Sequence, residues 1–215
     1  MKLTKDQIEE VDYVLRKHYT FENFDDLRTE LVDHIASDVE LLMQNEKLSF
    51  DEALSKILYK WKTEISWDRN SKHNSVPKMV SRLWRKLDWK YNSITIALVV
   101  ALFFLDQLFR KEEWVAFIMY LIGVVGCFLG IYLIKIFKKN RFNTVLSMYA
   151  EDKLIVNLSI VLIGIVVNSL LNYFDGDFLS RPGFPAIVYA TITLMIKTIL
   201  MRRNIKIENQ LLKVM

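Results

Sequence analysis

Between Ser93 and Met201 the chain carries four apolar runs: about Ser93–Phe109, Trp114–Phe137, Leu154–Phe174 and Phe184–Met201. Each approaches the ~20 residues a helix needs to cross ~30 Å of hydrocarbon. Water cannot satisfy a backbone inside lipid, so such segments must be helical. The alternative is four buried helices in a soluble protein. The polar surface left in that stretch is too small to cover them. The first and fourth runs are shorter and recruit flanking residues such as Trp89 or Ile199.

The basic residues give these spans a direction, because lysine and arginine concentrate in cytoplasmic loops. Arg82, Arg85, Lys86 and Lys90 precede the first run. Lys138, Lys139, Arg141 and Lys153 lie between the second and third, with Lys135 just inside, and Arg202, Arg203 and Lys206 follow the fourth. The other two connections, "RKEEW" and "DGDFLSRPG", are neutral to slightly acidic. The alternation predicts a multi-pass protein of the cell membrane with both termini in the cytoplasm.

The formal net charge of +4 conceals an asymmetry. Residues 1–70 carry 10 Lys or Arg against 16 Asp or Glu, a sum of −6. Residues 71–90 have 6 basic and one acidic residue, and residues 91–215 have 13 basic and 8 acidic, so each stretch sums to +5. The positive excess sits beside apolar runs, which argues against direct nucleic-acid binding and for a membrane surface. A single cysteine, Cys127, excludes an intrachain disulfide, and no metal or redox spacing is present. The opening "MKLTKDQIEEVDYVL" lacks the continuous apolar core of a cleavable signal.

Three amphipathic helices are readable before residue 70. The first covers about 5–18, opened by a Thr4–Gln7 capping box, with Ile8, Val11, Val14 and Leu15 on one face. The second covers about 25–45, with Leu27, Leu31, Ile35, Val39 and Leu42 as its apolar stripe. Its other charges, including Arg28, Glu30, Asp33, Asp38 and Glu40, are expected on the wet side. The third opens with a Ser49–Glu52 capping box and continues through Ala53, Leu54, Ile57, Leu58, Trp61 and Ile65. The fold class is therefore all-α: a small cytoplasmic three-helix domain followed by a four-helix transmembrane bundle. The expected domains are 1–68 for the acidic head, 69–92 for a linker and basic interfacial helix, 93–201 for the spans and 202–215 for a cytoplasmic tail. Trp84, Trp89 and Tyr91 in the collar are expected at the lipid headgroup level.

Chemistry-bearing constellations are scarce. Asp33 and His34 are adjacent, so they point to different faces, and no nucleophile stands at a triad-like spacing. His18, His34 and His73 are scattered and lack metal-ligand spacing. No enzyme and no cofactor are expected. Intramembrane polar candidates are Asp106, Asn157, Asn168, Asn172 and Lys197, the last placed to snorkel to the surface. Gly123, Gly126, Gly130 and Gly164 read as positions where helices approach closely.

The segment "LRTELVDHIASDVELLMQNEKLSFDEALSKIL" resembles the HAAS, or permease-prefix-like, helical domain of PadR-associated membrane proteins. The matching positions are Leu27, Glu30, Leu31, Asp33, His34, Glu40, Ser49, Glu52 and Ala53, within residues 4–66. The turn that often holds glycine in that family is "NEKLS" here, and "KWKTEI" stands where Phe-Gly is common. The whole arrangement is similar to Bacteroidota-type membrane proteins with this head. The resemblance implies a cytoplasmic module that binds a PadR-like regulator. Glu30, Asp33, His34 and Glu40 are the candidate partner-binding residues. The expectation is a membrane-anchored regulatory or interaction protein, possible as a homo-oligomer. The alternative is a small transporter or channel-like protein, or its accessory subunit.

Overall fold

The computed structural model describes residues 2–19, 21–68, 76–108, 113–175 and 184–214. Within these, side chains at 105–107, 113–119, 168, 171–175, 184 and 214 lie outside the description. Among the described residues the chain is helical, with one isolated β-bridge between Trp67 and Pro77. It forms two compact units. The first gathers Met1–Lys86, Arg141–Met148 and Ile207–Met215, and the second gathers Leu87–Asn140 and Tyr149–Lys206.

The first unit begins with α1 (Lys5–His18), a 3-10 turn (Phe21–Asn23), α2 (Asp25–Glu46) and α3 (Phe50–Ile65). Both capping boxes are formed, so the first amides of α1 and α3 have side-chain acceptors. Lys47 ends α2 in the left-handed region, at φ 51°, inside the "NEKLS" break. α2 packs on both α1 and α3. Leu31, Ile35 and Val39 of α2 are buried with Val11 and Leu15 of α1 and Ala53 and Ile57 of α3. The periodic apolar stripe thus faces two neighbours, and burial of each large side chain contributes about 1.5–3 kcal/mol.

α4 runs unbroken from Lys78 to Leu108. The collar and the first apolar run are one helix, and no glycine or proline interrupts them. Its first turns belong to the first unit: Val80 and Trp84 are buried there, and the Ser81 hydroxyl donates to Asp68 at 2.6 Å. This corrects the reading of Trp84 as a headgroup residue. Its ring stacks edge-on to Phe24 at 6.3 Å, and its indole N–H donates to the Val145 carbonyl at 3.2 Å. Trp89, one and a half turns on, is 79% exposed.

The second unit is built from the rest of α4, α5 (Glu113–Phe137), the end of α6 (Val145–Glu151), α7 (Leu154–Asp175) and α8 (Phe184–Val214). The tail, too, continues the last helix. Three stretches among the described residues are long and apolar enough to cross a membrane: Lys78–Phe104, Tyr120–Phe137 and Pro185–Lys213. α7 has 22 residues, several of them with side chains outside the description. Half of the apolar window of α8 is buried, against 6% for α4, so α8 is the enclosed helix. Its Ala190, Leu194 and Met201 share a core with Leu133 of α5 and with Leu154 and Val161 of α7.

The glycines make that enclosure possible. A Cβ on Gly126 would lie 2.5 Å from Thr191 Oγ1, and one on Gly130 would lie 2.5 Å from Leu158 Cδ1. One on Gly164 would lie 2.4 Å from Ile187 Cγ1, whereas at Gly123 the nearest atom is the tip of Ile165 at 3.1 Å. The strip is therefore filled by side chains of α7 and α8 in the same chain. Thr193 and Thr198 bond their hydroxyls back to the carbonyls of Tyr189 and Leu194. The Thr191 hydroxyl, pressed against α5, is buried without a hydrogen-bond partner among the described residues.

Two outcomes follow from this packing. Gly126→Val is expected to lower the thermal midpoint of the detergent-solubilised protein, at an overpacking cost of about 1–3 kcal/mol, while Gly123→Ala stays close to wild type. Equal midpoints for the two would refute the close approach. Ser49→Ala removes one capping box and is expected to cost about 1 kcal/mol, seen as faster amide exchange at the start of α3. The Ser49 hydroxyl and amide hold the Glu52 carboxyl below its ordinary value. The capping contribution is thus present above the unfolded glutamate range and fades as pH falls below about 4. The difference between Ser49→Ala and wild type should shrink with it.

Candidate functional site

In the first unit the N-terminus of α2 grips the chain segment that joins α5 to α7. Asp25 and Asn143 are paired twice: the Asp25 amide donates to the Asn143 carbonyl at 2.6 Å, and the Asn143 amide donates to Asp25 Oδ2 at 2.8 Å. Asp26 accepts from the Val145 amide at 3.0 Å and 3.3 Å through its two oxygens. Val145 is the first residue of α6, so Asp26 satisfies a helix-start donor from 119 positions away in sequence. Thr144 and Ser147 close the same turn, each hydroxyl accepting from the other's amide. The Trp84 indole takes the Val145 carbonyl, as described above.

A buried guanidinium aligns this clasp. Arg28 is 8% exposed. Its Nε donates to Asp12 Oδ1 at 2.9 Å, one terminal nitrogen to the Phe21 carbonyl at 2.9 Å, and the other to Asp25 Oδ1 at 2.7 Å. Asp25 therefore uses one oxygen to hold Arg28 and the other to hold Asn143. The sequence expectation that Arg28 lies on the wet side of α2 is corrected here. The desolvation of its charge is offset by two carboxylates and a carbonyl arranged around its planar fork. Asp26 is different. Among the described residues no cation hydrogen-bonds to it, and burial raises its carboxyl above the ordinary value despite the opposing amide bonds.

The predicted partner-binding residues fall into two groups. Glu30, Asp33 and His34 are exposed, with His34 Nε2 only 3.9 Å from Glu30. Glu40 is partly buried and accepts from the Leu3 amide at 2.8 Å, so it fastens the chain start.

In the second unit Lys197 is the one intramembrane candidate with a resolved partner set. It is 7% exposed and does not reach the surface as its position near a span end predicts. Its ammonium donates to the carbonyls of Tyr149, Ala150 and Asp152, at 3.3 Å and 3.0 Å for the first two. These carbonyls lie at and just past the C-terminal end of α6, where positive charge is favoured. The ammonium also lies 5.8 Å from the centroid of the Tyr149 ring, whose hydroxyl donates to Asp88 at 2.9 Å. Asn157 is buried on α7. The side chains of Asp106, Asn168 and Asn172 lie outside the described residues. Among the described residues no group of three His, Cys, Asp or Glu side chains is placed to hold a metal ion.

Asp25, Asp26, Arg28, Trp84 and Asn143 were missed from sequence because their partners are far away along the chain. One local signal existed: the pair Asp25–Asp26 at a helix start, which reads as dipole complementation and gives no hint of a second chain segment. No protein-family model matches this chain, and neither a curated protein nor a solved structure matches it.

Asp26→Ala is expected to free the Val145 amide and cost about 1–2 kcal/mol, measured as faster hydrogen exchange over residues 143–148. Asp26→Asn keeps an acceptor without a charge to desolvate. Because the Asp26 value is raised, its share of stability is present at low pH and lost as pH rises through the folded value. Wild type should therefore lose stability relative to Asp26→Asn as pH rises above the ordinary carboxylate range. A constant difference would contradict the burial of an ionisable Asp26.

Proposed function

We propose that this chain is a membrane-anchored regulatory protein whose cytoplasmic helical head binds a protein partner and is coupled to its membrane helices by the clasp at Asp25 and Asp26. The observation that carries the proposal is the clasp itself. The head holds the connection between two apolar helices, so a rearrangement of those helices acts on the N-terminus of α2 directly. The exposed Glu30–Asp33–His34 surface belongs to the same helix.

Four crossings are part of this reading. Residues 1–86, 141–148 and 207–215 belong to one compact unit. The alternation of basic with neutral or acidic connections along the sequence supports an even number of crossings. The first stretch between those pieces contains the rest of α4 and α5, and the second contains α7 and α8. The lysine and arginine residues flanking the apolar runs favour the cytoplasm for both termini.

The transport alternative receives less support. A conduction path needs intramembrane charge facing a hydrated route. The Lys197 ammonium is instead committed to three backbone carbonyls.

The acidic head favours a basic partner surface. By the resemblance of residues 4–66, a PadR-like regulator is the first protein to try. Full-length protein in nanodiscs is expected to bind it in a salt-sensitive manner, and Glu30→Lys with Asp33→Lys should weaken binding about tenfold or more. A regulator that ignores the wild-type head, or binds the double variant equally, would overturn the assignment.

A further inference from the structure

In the second unit the buried Lys197 is held by backbone carbonyls, whereas six exposed cations with no ion pair among the described residues share one level. Three contacts fix that level. Leu133 of α5, Leu154 of α7 and Met201 of α8 meet in one buried cluster. The Lys197 ammonium is held by carbonyls at residues 149–152. The Tyr149 hydroxyl donates to Asp88 of α4. The residues next along each helix therefore emerge at one end of the unit: Lys90 on α4, Lys138 and Lys139 after α5, and Arg202, Arg203 and Lys206 on α8. All six are exposed. Among the described residues none of the six forms an ion pair. By contrast, Arg82 and Arg85, which precede them on α4, are paired with Glu64 at 3.0 Å and Asp68 at 3.6 Å in the first unit.

The same level carries few acids, namely Asp88, Glu151 and Asp152, and Asp88 is engaged by Tyr149. The belt borders apolar walls: Ile131 is 60% and Ile155 74% exposed. Trp89 stands beside Lys90 with its indole open. Ammonium and guanidinium groups with no ion pair among the described residues, bordering exposed apolar surface and with an indole at the boundary, match the two ends of an anionic glycerophospholipid; Lys90 also lies 5.7 Å from the Tyr91 ring.

We propose that this belt binds anionic phospholipid headgroups, so that negatively charged lipids are enriched around the end of the second unit that carries Lys90, Lys138, Lys139, Arg202, Arg203 and Lys206. The proposal rests on the membrane-spanning reading. Full-length protein that stayed soluble without detergent would defeat that reading. Insertion without lipid preference would defeat this proposal alone.

The test uses full-length protein in mild detergent containing equal amounts of phosphatidylglycerol and phosphatidylcholine, with co-purifying lipid counted by mass spectrometry. Wild type is expected to retain phosphatidylglycerol about fivefold or more over phosphatidylcholine, with the preference declining as salt is raised. The fourfold variant Lys138→Gln, Lys139→Gln, Arg202→Gln, Arg203→Gln should bring the ratio to within about twofold of unity. Arg82→Gln, which removes a paired cation, should leave it unchanged. If the fourfold variant does not fold, the exchange Lys138→Arg with Arg202→Lys replaces it and should keep the preference. Equal retention of the two lipids by wild type overturns the proposal, as does an undiminished ratio in a folded fourfold variant. Loss of the bound lipid on adding millimolar inorganic phosphate at constant ionic strength would also overturn it, by assigning the belt to free phosphate.

Discussion

Everything assigned to the head depends on one exchange of hydrogen bonds, that between the N-terminus of α2 and residues 143–145. A helix start presents donors without internal partners, and a turn entering another helix presents the same problem. Here Asp25 and Asp26 address both. Asp25 pairs reciprocally with Asn143, and Asp26 caps α6. Arg28 keeps Asp25 in place by taking its second oxygen, and Phe24, the residue before Asp25, meets Trp84 edge-on. Polar satisfaction and apolar burial thus select the same arrangement, which gives a small helical domain a fixed attachment to a distant chain segment.

A domain of under 70 residues in three helices has limited core of its own. The first unit compensates by drawing in the first turns of α4, the segment 141–148 and the chain end after residue 206. Val80 and Trp84 complete its interior. The Arg141 amide donates to Glu208 at 3.2 Å, which ties the chain end to the same connection.

Local physics was legible in the sequence. The spacing of Leu27, Leu31, Ile35 and Val39 and the boxes at Thr4 and Ser49 define α1 to α3, because their causes lie within four residues. The first, second and fourth apolar runs overlap the three stretches that are long and apolar enough to cross a membrane among the described residues. Long-range partners were not legible. Arg28 sits among charges on a helix and reads as solvated, yet Asp12 and the Phe21 carbonyl lie 16 and seven positions away and enclose it. Trp84 reads as an interfacial ring until Val145, 61 positions on, supplies its acceptor. Lys197 reads as a snorkelling lysine until the end of α6 provides three carbonyls nearer than water. The continuity of α4 through Lys90 and of α8 beyond Met201 was written plainly in the absence of glycine and proline. Charge made both look like boundaries.

The most direct test is the sidedness of the clasp. With Cys127 replaced by alanine, single cysteines at Ser37, Arg141 and Lys213 would be labelled with a membrane-impermeant maleimide in intact and in lysed cells. The account predicts that all three are protected in intact cells and react together after lysis. Arg141 labelling from the opposite side to Ser37 would place the two halves of the clasp across a bilayer from each other and contradict it.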